Sequence, residues 1–203
     1  MPANLSTVRK YLLITICMMA FSAQLSAADN QGQFALRGAG LIPCALLVQE
    51  RKASSEVYLI AASWVDGYIS GVNQYAPGTY DALSFETTEL IMSIVDKHCK
   101  NNPRDPVFGV INTLIKKLHT DRLVEKAEKT EWVAGERKVS LYTEVVKRAQ
   151  QVLHNKGFYK DKIDGRQNKS MVEGLKQYQR SIELNATGFP DQLTLWRLLR
   201  GPA

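Results

Sequence analysis

The chain lacks a hydrophobic run long enough to span a bilayer. Its apolar stretch from Tyr11 to Phe21 is eleven residues, broken only by Thr15, where a transmembrane helix takes about 20. It also lacks the spacings that mark hydrolases. The three histidines (His98, His119, His154) lie 21 and 35 residues apart, with no His-x-x-x-Asp or His-x-x-Glu-His pair to hold zinc. No Gly-x-Ser-x-Gly elbow is present, and no cysteine sits in a Ser-x-Gly-Cys context. Nothing in the first domain alternates at period two for long enough to argue a sheet, and no nucleic-acid-binding motif occurs. These absences point away from an enzyme, a metal site, a cofactor and a nucleic-acid partner.

What the N-terminus does contain is a targeting pattern. Arg9 and Lys10 precede the apolar run, and the small residues Ser22, Ala23, Ser26, Ala27 and Ala28 follow it. That order of charge, apolar core and small residues is a secretory signal. Cleavage after Ala28 fits best, with Ser26 and Ala28 in the two small-residue slots. A lipoprotein signal would need a small residue before its cysteine, but Ile16 precedes Cys17. The expected product is a periplasmic or secreted protein, not membrane-embedded once the signal is cut.

Of three cysteines, removal of residues 1–28 leaves Cys44 and Cys99. In an oxidising compartment an even count reads first as a disulfide. The loop it closes, about 55 residues, corresponds to roughly 4 kcal/mol in the chain-entropy model. The competing reading, a reactive Cys99 activated by His98, is weak, because adjacent helical residues point about 100° apart.

Charge is divided unevenly. Residues 29–139 carry 13 Lys and Arg against 14 Asp and Glu, whereas residues 140–203 carry 11 against 6. A locally basic module favours anionic surfaces, and outside the cell those are envelope polymers.

The first domain, 29–119, reads as a small helical bundle. Phe34 and a Gly38-Ala39-Gly40 turn lead to Cys44. Val57, Ile60, Ala61, Trp64, Tyr68 and Val72 form a helical stripe, with Gly67 and Gly71 beside it for close packing. Pro77-Gly78 turns the chain. A helix starting near Thr87 or Thr88 shows Leu90, Ile91, Ile94 and Val95 on one face, and stops before Asn101-Asn102-Pro103. Pro106 opens another, carrying Val107, Val110, Ile111, Leu114, Ile115 and Leu118. Residues 120–139 are expected to be a charged linker or a helix extension, with Leu123 and Ala127 four apart and the break near Gly135.

The last domain, 140–203, is compact and helical. Tyr142, Val145, Val146, Ala149, Val152 and Leu153 face one way on its first helix, and Gly157 stands where a C-cap glycine belongs. Ser170 to Glu173 has the capping-box pattern for the second helix, with Leu175, Tyr178 and Ile182 on its face. Asp191 is the expected N-cap of a final helix with Leu195, Trp196, Leu198 and Leu199. Asp164-Gly165 before Ser170 and Thr187-Gly188 before Thr194 repeat at an offset of 23 or 24, which suggests a duplicated turn-plus-helix unit.

On these residues, the module resembles the three-helix peptidoglycan-binding domain of cell-wall hydrolases and envelope proteins. The motifs are Gln150 and Leu153, Gly157-Phe158-Tyr159, Asp164-Gly165, Tyr178-Gln179, Thr187-Gly188, Asp191, Thr194 and Leu198. One departure is the loop Gln167-Asn168-Lys169-Ser170, where the family often has Gly-aromatic-Gly. The resemblance implies peptidoglycan as ligand. Asp164, Gly165 and Gly188 read as turn-makers, and Phe158, Tyr178 and Trp196 as core. That leaves Tyr159, Lys160, Arg166, Gln179 and Arg180 as the candidate contacts, polar and aromatic groups suited to the amides and carboxylates of a muropeptide.

The first domain resembles the Rap/Tai family of immunity proteins against type VI secretion amidases. The residues are Phe34, Gly38-Ala39-Gly40, Cys44, Trp64-Val-Asp66-Gly67-Tyr68, Tyr80-Asp81 and Cys99-x-x-Asn102-Pro103. That resemblance implies a helical fold with a Cys44–Cys99 disulfide, and a secreted amidase as protein partner. The expected fold is therefore all-α: a disulfide-linked helical bundle followed by a three-helix module. The expected function is non-enzymatic wall binding through the C-terminal domain and partner binding through the N-terminal one. The alternatives are an interaction protein whose module no longer binds peptidoglycan, or an accessory subunit of a wall hydrolase.

Overall fold

The computed structural model describes residues 28–29 and 31–201. The expected signal peptide, residues 1–28, falls outside them except for Ala28. The chain divides into two units, Met1–Ala35 and Leu36–Ala203. In the first, the Asp29 carboxylate accepts the N–H groups of Gln31 at 2.9 Å and Gln33 at 2.8 Å, closing a local turn. All regular structure among the described residues lies in the second.

The second unit opens with a 3-10 turn, Gly38–Leu41, followed by α1 (Cys44–Ala53), α2 (Glu56–Tyr75), α3 (Thr88–Asn101) and α4 (Val107–Leu118). Local chemistry sets the starts. The Ser55 hydroxyl accepts the Tyr58 N–H at 3.2 Å to cap α2, and Thr87 does the same for Leu90 at 3.4 Å on α3. Pro106 precedes α4 with its fixed φ. Ile91, Val95, Ile111, Ile115, Leu47 and Val65 fill the core of these helices. The disulfide Cys44–Cys99, S–S 2.01 Å, ties the start of α1 to the last turn of α3.

Two expectations for α2 are corrected. Ala61 of the expected stripe is buried beside Val65 and Ile69, and Trp64, Tyr68 and Val72 pack partly buried against the same core, while Val57 and Ile60 are exposed. The apolar residues of this helix occupy more than one face, so spacing alone did not select the inward one. Gly67 and Gly71 have open space where a Cβ would stand, so they pack against no neighbour. The glycine that closeness does require is Gly40, where a Cβ would meet the Trp64 ring at 2.4 Å. Trp64 donates its indole N–H to the Arg37 carbonyl at 2.8 Å and stacks on Tyr68 with centroids 5.4 Å apart.

The segment 120–139 is neither a linker nor a helix extension, and the fold is not all-α. After a short 3-10 turn, His119–Asp121, the chain forms an antiparallel hairpin of β1 (Lys129–Ala134) and β2 (Arg137–Tyr142). Gly135, at φ +62°, sits in its two-residue turn. The physical reason is Trp132, buried to 1% exposure in the core of the C-terminal module. A two-stranded ribbon offers that ring inward while its charged neighbours stay in solvent. Its sequence alternates too briefly and is too charged for period two to stand out.

β2 leads directly into α5 (Thr143–Asn155), then α6 (Lys169–Ser181) and α7 (Gln192–Leu199). Two hydrophobic clusters organise the unit, and they interlock. Phe85, from the loop before α3, packs in the C-terminal cluster, and Trp196 of α7 packs in the first. Polar bonds close the seam. Gln192 accepts the Thr87 N–H at 3.0 Å and donates to the Phe85 carbonyl at 2.8 Å. The nearly buried Arg200 guanidinium binds Glu86, with Nη2 at 2.9 Å, and Asp121, and lies over the Phe85 ring.

Candidate functional site

The C-terminal module is built around two buried side-chain amides. Gln150 on α5 and Gln179 on α6 are both wholly inaccessible. The Gln150 Oε1 accepts the backbone N–H groups of Asp164 at 3.0 Å and Gly165 at 2.8 Å. Its Nε2 lies within hydrogen-bonding distance of the Tyr159 hydroxyl, the Asp164 carboxylate and the Arg166 carbonyl. Gln179 repeats the device. It accepts the Gly188 N–H at 2.8 Å and donates toward the Phe189 carbonyl and the hydroxyls of Thr187 and Thr194. Each amide satisfies the backbone of a turn that would otherwise bury unpaired groups.

The turns correspond in detail. The Asp164 carboxylate accepts the Arg166 N–H at 2.9 Å, and the Thr187 hydroxyl accepts the Phe189 N–H at 3.1 Å. Gly165 and Gly188 both have positive φ, +76° and +68°. A Cβ on Gly165 would meet the Thr143 carbonyl and Lys147; on Gly188 it would meet Val172 and Lys176. Thr143, Lys147 and Gln150 thus map onto Val172, Lys176 and Gln179 at a constant 29 positions, while the turns map at 23. The duplication is helix plus turn, and α6 serves both copies. The six extra residues of the first copy hold the segment that brings in Tyr159.

Helix ends follow the same logic. Gly157, at φ +79°, ends α5 with the Phe158 N–H on the Leu153 carbonyl and its own N–H on His154, the paired pattern of a glycine C-cap. α6 starts earlier than the capping-box reading places it. Its N-cap is Asn168, which accepts the Met171 N–H at 2.7 Å, in place of Ser170. Asp191 caps α7 through Thr194, and Asn168 is its counterpart at the 23-residue offset.

Of the five expected contact residues, two are interior. Tyr159 is 1% exposed, with its hydroxyl donating to the Lys162 carbonyl at 2.7 Å, and Gln179 is the second amide clamp. Both are fold-makers here. Lys160, Arg166 and Arg180 are exposed, and Arg180 pairs with Glu173 at 3.0 Å. Tyr178 and Trp196 are core, and Phe158 is half-buried against Tyr178. Burial pushes the Tyr178 hydroxyl pKa up. The Arg166 N–H, followed by the Gln150 amide, holds the Asp164 carboxyl below its usual range.

Next to the first turn runs a groove of about 490 Å³ lined by Gln167, Asn168, Lys169, Val172, Glu173 and Lys176. Lys169 and Lys176 make no ion pair among the described residues. Neither lysine is among the five expected contact residues. The signal available was their spacing with Val172 and Glu173, which sets all four on one helical face. Gln167, in the loop that departs from the family pattern, is held by β1. It accepts the Val133 N–H at 3.0 Å and donates to the Val133 carbonyl at 2.7 Å.

The second unit also buries acidic chemistry outside this module. Burial raises the Asp81 carboxyl pKa, and burial with the neighbouring Asp81 charge pushes the Tyr142 hydroxyl up to about 12. Among the described residues no three His, Cys, Asp or Glu side chains gather to hold a metal, and no helix is long and apolar enough to cross a membrane.

Residues 143–198 thus form a duplicated helix-and-turn module beside a polar, cationic groove. Residues 143–198, which span α5 to α7 and both glutamine clamps, match the family model described as "Putative peptidoglycan binding domain". Comparison with curated proteins and with solved structures gives no match.

Proposed function

We propose that this is a non-enzymatic periplasmic protein that holds peptidoglycan through residues 143–198 and presents its first helical bundle to a protein partner. The observation that carries the reading is the family match over the complete module, joined to the Lys169–Lys176 groove. Two unpaired ammonium groups beside an asparagine and a glutamine suit a polymer bearing carboxylates and amides. Lys160 and Arg166 extend the basic surface near the same turn. Linking a wall anchor to a partner-binding bundle raises the local concentration of that bundle at the polymer.

For the bundle, the supporting feature is the exposed apolar outer side of α2. Val57, Leu59 and Ile60 are 40%, 60% and 61% exposed, and Leu41 is 60% exposed. Apolar surface left open in this way marks contact sites. A secreted amidase, bound by an immunity protein of the Rap/Tai type, is the partner the sequence resemblance implies.

Pelleting the protein with insoluble peptidoglycan tests the anchor. Wild type is expected in the pellet at low salt and released as salt rises, and Lys169→Glu with Lys176→Glu stays in the supernatant. Wild type left in the supernatant at low salt would sink the wall-binding reading. The immunity reading is checked by growth during periplasmic expression of an amidase toxin, where absence of protection rejects it. The second reading, an interaction protein whose module has lost its ligand, draws on the docking of Gln167 onto β1. There the chain occupies part of its own turn surface.

A further inference from the structure

The hairpin is a two-stranded sheet, so each of its strands has an outer edge. Register fixes which groups point outward from β1. The Thr143 N–H donates to the Glu128 carbonyl at 2.8 Å. By the alternation of antiparallel pairs, Thr130, Trp132 and Ala134 therefore turn their backbone groups toward β2 as well. Those of Lys129, Glu131 and Val133 face away from it. The outer edge of β2 is different, since it borders a cavity of about 220 Å³ shared with the segment 83–87.

Three observations say what the β1 edge accepts. At Val133 it already holds an amide. The Gln167 side chain accepts the Val133 N–H at 3.0 Å and donates to the Val133 carbonyl at 2.7 Å, the exchange that an antiparallel strand makes. At Lys129 and Glu131, both exposed, the outward N–H and C=O groups meet no partner among the described residues. Such a row is a template for another strand. Charged side chains often blunt an edge of this kind, but here they lean toward β2. The Lys129 ammonium lies 4.5 Å from the Tyr142 ring centroid, and Glu131 pairs with Lys138 at 3.4 Å. Finally, the rim is cationic. Lys129 and Lys169 form no ion pair among the described residues, Arg166 is exposed beside Gln167, and Glu173 is committed to Arg180.

We propose that the outer edge of β1 takes up an extended acidic peptide segment of a partner protein as a third strand, paired to Lys129 and Glu131 and stopped at Gln167. Outward donors and acceptors that recur about every 7 Å match a peptide backbone, the basis of strand addition. Acidic side chains on that strand lie by Lys129 at one end and by Arg166 and Lys169 at the other. The edge lies outside residues 143–198 and does not rest on the wall-binding reading.

Proton–nitrogen NMR of the protein tests it, with acetyl-Glu-Val-Thr-Val-Glu-amide as the probe. One control is acetyl-Lys-Val-Thr-Val-Lys-amide. The other is the acidic peptide N-methylated at every residue, which keeps the charge and loses the donors. The expected result is a saturable shift of the Lys129 and Glu131 amide signals, with their hydrogen exchange slowed about fivefold or more by saturating peptide. Val133 should be protected with or without peptide, through Gln167. Both controls should bind about tenfold more weakly, because main-chain bonds and charge together carry the affinity. Glu131→Pro deletes one outward N–H and no bond to β2. It should weaken the acidic peptide about tenfold and leave the Trp132 indole signal in place. Should that variant unfold, the N-methylated peptide decides alone. Absent shifts, equal binding of either control, or a folded Glu131→Pro variant with unaltered binding would each overturn the proposal. So would slow exchange at both amides without peptide that is lost on dilution, since the occupant is then a second copy of the chain. Pelleting with peptidoglycan reads a different surface, so the two readings fail separately.

Discussion

The first bundle and the C-terminal module use the same secondary structure and are held by different means. The bundle buries aliphatic side chains and is tied by Cys44–Cys99. The module, without cysteine, buries Gln150, Gln179 and Thr194 completely and spends them on its own turns. Glycines show the contrast in part, although Gly40 in the opening turn of the bundle is also tightly placed, against the Trp64 ring. Gly67 and Gly71 in the bundle face open space, while Gly165, Gly174 and Gly188 in the module lie where a Cβ would strike backbone or side chain at 2.5–2.7 Å. In the bundle, helices carry the fold and a covalent staple fixes them. In the module, the turns carry it.

That contrast can be broken from either side. The largest effect is expected from Cys44→Ala with Cys99→Ala, about 4 kcal/mol from opening a 55-residue loop, read by denaturant unfolding. Gln179→Ala should cost about 3 kcal/mol, because it leaves the Gly188 N–H unpaired and opens a cavity. The same measurement checks it, and a loss as small as that of a surface residue would remove the clamp from the account. Gly188→Ala should follow at about 2 kcal/mol, from positive φ and contact with Val172.

Asp164→Ala should cost about 1 kcal/mol at neutral pH. The Asp164 carboxyl is held below its usual range by hydrogen bonds that favour its charged form. Its contribution is therefore present above the unfolded carboxylate pKa, about 3.9, and is lost as pH falls through the lower folded value. Melting curves of wild type and variant should converge below that pH. The smallest change runs the other way: Gly67→Ala on α2 should stabilise by about 0.5–1 kcal/mol, since helical φ and open space leave only the entropic gain.

Much of the module was legible. Gly157, Asp164-Gly165, Thr187-Gly188 and Asp191 announced its turns and caps, because glycine at positive φ and short polar caps follow local rules. The echo at 23 positions was visible too. Its partner at 29 positions was not, since Gln150 and Gln179 look like ordinary exposed helix residues until the turns fold over them. Tyr159 was misplaced for the same reason: an aromatic beside a lysine reads as surface, and only the six-residue insertion carries it inside. In the bundle, α3 and α4 followed from spacing and from Thr87, Asn101 and Pro106. On α2, Ala61, Trp64, Tyr68 and Val72 followed too, but Val57 and Ile60 did not, because they share the spacing and yet stand outside the core.

Sequence by itself determined Cys44 and Cys99 as the candidate disulfide pair, the helical character of both halves, the basic C-terminal third and the turn signature that matches a peptidoglycan-binding family model. These depend on residues close in the chain or on simple counts. Tertiary structure decided that 120–142 folds into a hairpin around Trp132, that Gln150 and Gln179 face inward, and that Arg200 and Trp196 lock the two cores together. Each is a contact between distant segments, whose energy depends on what is buried at the far end and so leaves no periodic trace in the chain.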